Sequence, residues 1–428
     1  MLGGMHGRGL RRRGRVLGRV LGLLRSIGPE IVSGASDNDP TNVGTATIVG
    51  AQTMYQLSWV ALLVAPLLAV VLAIAAQLGM AARSDLQSLT LKRYGRRVAA
   101  VLMVSVVVVN MVTIAADVQA GAAGIGMLAG IDSRWIVLLL ALALPGLLLI
   151  GRYGQVVAVL RYLLPGFLAF TAAAVLAHPD WRRLLRASLV PALSLRRDDL
   201  AGALALLGTT LTSYVYVWET VERGVEEPGD DAPGSAALAR ARAGAIVGAV
   251  FTAVILWSML IASAATLGRR HHAVASVQDA ARALRPLAGS PASDLFAAGL
   301  VISAVVALPV LMASTAYVVG AQFDWRRGLS QPISQARRFY AVLVASAGLA
   351  VAVTLAGVPV FGMLVAASVI GGFGTPIGLV LLVRLARDPE IMGDQAISGR
   401  LALAGWMIAV VVGGLGMLFV LGAAFGRF

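Results

Sequence analysis

A chain of 428 residues with 58% hydrophobic and 13% charged residues is not a soluble globular protein, in which about a quarter of residues are charged; it reads as an all-α polytopic membrane protein. Its net charge of +14 does not point to nucleic acid, because the basic residues fall in short clusters between apolar runs, as in loops facing anionic lipid. Cysteine is absent, which excludes disulfides, thiolate metal sites and thiol redox chemistry.

Residues 1–26 are rich in arginine, and Arg19 interrupts the apolar stretch Val16–Leu24. A secretory signal needs an unbroken apolar core, so this segment reads as a basic cytoplasmic tail. About 20 apolar helical residues cross a bilayer. Runs of that kind predict eleven spans, at 27–49, 52–80, 97–128, 134–150, 154–177, 200–224, 238–268, 292–322, 336–356, 360–385 and 401–426. With the N-terminus in the cytoplasm, the clusters Arg8–Arg25, Arg83–Arg97, Arg326–Arg338 and Arg384–Arg400 all fall inside, as the positive-inside rule expects. The segments His178–Arg197 and Arg269–Arg285 fall outside despite their arginines, so the rule is obeyed unevenly. This orientation, in the plasma membrane, is the expected one.

Two of these spans are interrupted. The first carries Asp37-Asn38-Asp39-Pro40-Thr41-Asn42 and the sixth carries Gly208-Thr209-Thr210-Leu211-Thr212-Ser213-Tyr214. Proline removes a donor and clashes with the preceding turn, and a carboxylate inside a span is functional by default. A carboxylate, a side-chain amide and freed carbonyls form an oxygen-rich pocket suited to a hard or borderline divalent cation. The plainer readings are a proline kink with a capping aspartate, and hydroxyls that knit helix to helix in the sixth span. Discontinuous helices at matching positions of two halves mark inverted-repeat folds with a site between them. On that pattern residues 27–177 and 200–385 are the two repeats of the core, and 401–428 is an additional C-terminal helix.

Other polar residues need placing. Asp37 lies about 200° around an ideal helix from Asp39, so it lines a mouth of the site or faces water. Asp117, in the third span near Asn110, Thr113 and Gln119, could relay protons or touch a permeating ion. Glu222, Glu226, Glu227, Asp230 and Asp231 read as a solvated face. The four histidines, His6, His178, His271 and His272, all lie outside the spans. With no nucleophile and base, or histidine metal set, on neighbouring helices, an enzyme is not expected.

The chain resembles the natural resistance-associated macrophage protein (Nramp) family of divalent-metal transporters. The similar residues are Gly28-Pro29, Asp39-Pro40-Thr41-Asn42 where the family has Asp-Pro-Gly-Asn, Gly50-Ala51-Gln52, Leu57-Ser58-Trp59, Asp117, and Arg384, Asp388 and Ile391-Met392-Gly393. The resemblance implies a LeuT-like inverted-repeat fold of about 11 helices, with the metal between unwound centres of spans one and six. Carried over by position, it implies Asp39 and Asn42 as side-chain ligands, with the carbonyls of Ser36 and Thr209. The family's methionine falls on Thr212, its histidine on Tyr214, a second histidine on Glu219, a glutamate on Ala120 and a glutamine on Gly374.

These departures remove a soft sulfur and groups linked to proton movement. They make the chain similar to the divergent, magnesium-transporting branch of the family. The expectation is therefore a secondary transporter of divalent cations, preferring Mg2+ or Mn2+, with weak or absent proton coupling. It would need no cofactor beyond the ion it carries, no nucleic acid and no obligate protein partner. The alternatives are a carrier of amino acids or other small organic solutes on the same fold, and a proton-coupled Mn2+/Fe2+ transporter. A non-transporting receptor or scaffold is the remaining reading.

Overall fold

The computed structural model describes residues 34–424 apart from 151–154, 156–157, 159, 161, 193, 195, 229–233 and 269–276. The basic tail 1–26, the Gly28-Pro29 pair, His6, His271-His272 and Asp230-Asp231 therefore lie outside the described residues. Among those described there are helices and no strands.

Residues 34–36 are helical, residues 37–39 leave the helix, and α1 (Pro40–Thr53) resumes it. Then follow α2 (Ser58–Ala82), α3 (Leu86–Ala129) and α4 (Ser133–Ile150). A 3-10 turn at Leu164–Phe167 leads into α5 (Leu168–Leu176), and the amphipathic α6 (Trp181–Leu189) comes next. The sixth span is split into α7 (Arg197–Thr210) and α8 (Ser213–Val221), and α8 runs on into a π-helical turn, Glu222–Glu226. The remainder is α9 (Ser235–Thr266), α10 (Val277–Gln322), α11 (Arg337–Leu355), α12 (Val360–Ala386), the one-turn α13 (Pro389–Met392) and α14 (Gly399–Ala424).

Among the described residues, eight helices are long and apolar enough to cross a membrane. The first, fourth and fifth expected spans rest on shorter helices, namely α1 with the turn before it, Trp135–Leu149 and Leu164–Leu176. Large apolar side chains on the outside, such as Leu142 at 75% exposure and Val410 at 69%, identify that surface as the one facing lipid. The centre is occupied by the α7–α8 span, 94% buried, whereas α14 at 28% lies at the periphery.

Lipid tails are as apolar as leucine, so helix association in a membrane rests on close approach and on polar bonds. Both are present. A Cβ on Gly34 would meet the backbone of Gly248 in α9 at 2.7 Å, and one on Gly208 in α7 would meet Gly372 in α12 at 2.7 Å. The helices form two groups. α1, α2, α7–α8 and α9 pack on one another, and α3, α4, α10 and α11 form a second interlocked set. Each group draws two spans from each half of the chain, as an inverted repeat requires.

α3 is two helices joined at Gly95, whose φ of 81° and ψ of 176° suit glycine alone. The short arm before this kink lies on the basic face, where Arg93 pairs with Asp388 at 2.6 Å and Glu390 at 2.5 Å. Asp85 caps α3 through the Ser88 amide and pairs with Arg327 at 3.0 Å. Of the acidic run after α8, Glu227 is exposed, as its composition predicts, whereas Glu222 and Glu226 depart from a solvated face. Glu222 is buried, and Glu226 accepts from the Tyr317 hydroxyl, the Leu329 amide (2.9 Å) and the Ser330 hydroxyl (3.0 Å). The reason is tertiary: the loop between α10 and α11 supplies donors that the local sequence does not show. These bonds tie together the loops of the basic face. On the opposite face the Gln56 amide bonds Asp199 (2.9 Å) and Trp59 Nε1 bonds the Ala192 carbonyl (3.2 Å).

Candidate cation site

Both interrupted spans come apart, and neighbouring elements hold the freed backbone. In the first break the Gly34 carbonyl accepts from the Thr252 hydroxyl, and the Asn38 carbonyl accepts from the Ser303 hydroxyl. The Ser36 carbonyl accepts from the Tyr214 hydroxyl at 2.8 Å, and the Asp37 carbonyl from Asn42 Nδ2 at 2.8 Å. Broken helices persist at membrane depth only with such compensation.

Asp39 has extended backbone (φ −67°, ψ 163°), and its Oδ1 accepts from the Asn42 amide at 2.6 Å, capping α1. Its Oδ2 accepts from the Tyr214 hydroxyl at 3.2 Å. Asp117 of α3 reaches the same helix end, where its Oδ1 accepts from the Thr41 amide (2.8 Å) and the Thr41 hydroxyl (2.7 Å). Two carboxylates thus share the positive end of α1, an arrangement that helix dipoles favour. In the second break Thr212 Oγ1 donates to the Thr209 carbonyl at 3.1 Å, so two of the expected ligands are bonded to one another.

The site is enclosed: Ser36, Asp39, Asn42, Thr209 and Thr212 are each at most 3% exposed. Several oxygens in it have no hydrogen-bond partner, namely both of Asp37, Asn42 Oδ1, Asp117 Oδ2, Thr209 Oγ1 and Ser213 Oγ. Asp117 and Asp39 accept from consecutive backbone amides, those of Thr41 and Asn42, and Asp37 lies two residues before Asp39 in the same break. Among the described residues no lysine, arginine or histidine forms an ion pair with any of the three. Buried acceptors in this number are costly without a cation or proton. Among the described residues no three histidine, aspartate or glutamate side chains converge as a metal-holding group. The oxygens gathered at the two breaks are of carboxylate, amide, hydroxyl and carbonyl type.

The structure brings together Ser36, Asp37, Asp39, Asn42, Asp117 and Tyr214, and it sets Thr209 and Thr212 at the facing break. Asp37 does not face water; it is 0% exposed, because the break takes it off the helical wheel on which it pointed away. Gly374 is not brought to the breaks. A Cβ there would meet Ser105 Oγ and Val109 at 2.9 Å on α3, and the turn of α12 against Gly208 is Ser368–Gly372. Glu219 is buried and ion-paired with Arg223 at 3.3 Å, one turn further along the chain. Sequence reasoning missed Thr41 as the partner of Asp117.

A family model described as natural resistance-associated macrophage protein-like matches residues 30–422. Among solved structures, a mutant (H236A) of the Eremococcus coleocola manganese transporter is 19% identical, with a TM-score of 0.73 over 92% of this chain and 86% of that one. The same transporter in complex with an aromatic bis-isothiourea compound gives 20% identity and a TM-score of 0.70 over the same shares. Mhp1, of the nucleobase-cation-symport-1 family, in a closed conformation, is 13% identical with a TM-score of 0.59, covering 91% of this chain and 92% of that one. The split first and sixth spans, the two interlocked groups of helices and these likenesses agree on a LeuT-like fold. With a family match over nearly its whole length, this multi-pass membrane protein belongs to the Nramp family of transporters.

Proposed function

We propose that this chain is a secondary transporter that moves divalent metal cations across the plasma membrane by alternating access, with its N-terminus in the cytoplasm. The observation that carries this reading is the set of buried, partnerless oxygens at two facing helix breaks, beside carboxylates that no basic side chain neutralises. The ion is the cargo, held by Asp39 and Asn42 with oxygens of Thr209 and Thr212. The Ser36 carbonyl joins when Tyr214 releases it. α1, α2, α7–α8 and α9 rock against α3, α4, α10 and α11, and the bonded loops of the two faces described above are the gates. Residues 27–177 and 200–385 are the repeats whose exchange of geometry gives the two open states.

The donor set supports a hard-ion preference. Thr212 and Ser213 offer hydroxyls where a thioether would favour softer metals, and Mg2+ accepts oxygen ligands while keeping several waters. Mn2+ accepts the same set. An amino acid or another organic anion is disfavoured, because the Thr41 and Asn42 amides that would grip a carboxylate already serve Asp117 and Asp39.

Purified protein in liposomes should take up Mg2+ or Mn2+ with saturation. With a pH dye in the lumen, metal should enter without matching acidification, since Tyr214 and Ala120 stand where the family has titratable groups. Acidification at a fixed ratio to metal entry would contradict the uncoupled part of this reading. Uptake of amino acids and no metal would contradict all of it.

A further inference from the structure

Asp37 and Asp39 lie in the first break and Asp117 reaches the end of α1, and these acids are not equally committed. Asp39 has one oxygen on the Asn42 amide and the other on the Tyr214 hydroxyl. Asp117 has one oxygen on Thr41 and the other without a partner. Asp37 is 0% exposed, and both its carboxylate oxygens are without a partner.

Its backbone, by contrast, is fixed from both sides. Asn42 Nδ2 holds the Asp37 carbonyl at 2.8 Å, and the next residue is tied to α9 and α10 through Thr252 and Ser303. Asp37 lies in the same turn between Ser36 and Asp39, and the Tyr214 hydroxyl reaches both of these neighbours, the Ser36 carbonyl at 2.8 Å and Asp39 Oδ2 at 3.2 Å. A structural acid in this position would be bonded to a neighbour, as Glu226 is. One that is held rigidly, enclosed and bonded to nothing is pre-organised for a positive partner.

We propose that Asp37 is a direct ligand of the transported cation, a second carboxylate beside Asp39, so that the pair balances a double positive charge. Asp39 then divides its work between shaping the break as the cap of α1 and binding, whereas Asp37 is free to bind. This inference rests on the reading that the cargo is a divalent cation. A site with two carboxylates favours divalent over monovalent ions, because a single charge leaves one acid unbalanced.

The test uses the full chain in nanodiscs and proteoliposomes, with Mn2+ as the probe. Asp37→Asn keeps the shape and removes the charge. It should weaken Mn2+ binding at least tenfold in titration calorimetry and raise the KM for uptake by a similar factor. It should also unfold at the same or a higher temperature than the wild type without metal, because a repulsive buried charge is gone. Asp37→Glu, which keeps the charge, should bind Mn2+ more tightly than Asp37→Asn. Wild-type affinity and uptake in Asp37→Asn, with binding lost in Asp39→Asn, would overturn the role of Asp37 and leave the functional reading standing. A wild-type protein that binds and carries no metal would overturn both.

Discussion

Proteoliposomes carrying Asp39→Ala are expected to show no saturable uptake of Mg2+ or Mn2+. Removing one partner of a buried charge pair costs about 3–5 kcal/mol, which is about two to four orders of magnitude in affinity. The alanine also deletes the cap that Asp39 places on the Asn42 amide, worth about 1 kcal/mol of helix stability. Asp39→Asn separates these effects, because asparagine caps a helix as well as aspartate does and carries no charge. Loss of uptake in both variants, with thermal unfolding preserved in Asp39→Asn, assigns the effect to the carboxylate. Uptake unchanged in either variant would remove Asp39 from the ion path.

The second large effect is a change in ion preference. Thr212→Met should raise the ratio of Mn2+ or Cd2+ uptake to Ca2+ and Mg2+ uptake about tenfold or more, about 1.4 kcal/mol of differential binding. Thr212 is 3% exposed, and its hydroxyl occupies the Thr209 carbonyl at 3.1 Å. Methionine would release that carbonyl as a ligand and add a polarizable sulfur, which hard ions accept poorly. The measurement is a panel of metals in a flux assay, wild type beside variant. An unchanged order of metals would show that position 212 does not touch the ion.

Much of the fold was readable from hydropathy, and the reason is the solvent. A bilayer forces every span to satisfy its own backbone, so an apolar run of the right length has little choice but helix. The expected span at 360–385 and α12 (Val360–Ala386) differ by one residue. The loop helix α6 escaped notice because its arginines alternate with leucines in nine residues, Trp181–Leu189, a pattern too short and too charged for a span. The broken centres of spans one and six were legible because Pro40 and the cluster of hydroxyls at Thr209–Ser213 conflict with their apolar surroundings.

What local sequence could not show were the bonds from distant elements. Thr41 looked like a bare replacement for glycine, yet its hydroxyl meets Asp117, 76 positions away. Glu226 sat in a run of acids that composition assigns to water, and its partners arrive from residues 317, 329 and 330. Asp37 was read on a helical wheel, and the wheel stops applying where the helix stops. Gly374 was placed by carrying a family position over to this chain, and the face that α12 turns to the break is set by its close contact with Gly208 instead.

The most direct measurement is the anomalous scattering of Mn2+ in crystals of the wild-type protein. The account predicts one strong peak between the two helix breaks, within bonding distance of Asp39 and of oxygens contributed by the Thr209–Thr212 turn. Asp37 should be turned toward the same peak. A map with no peak between the breaks, or with Mn2+ bound only at the protein surface, would contradict it.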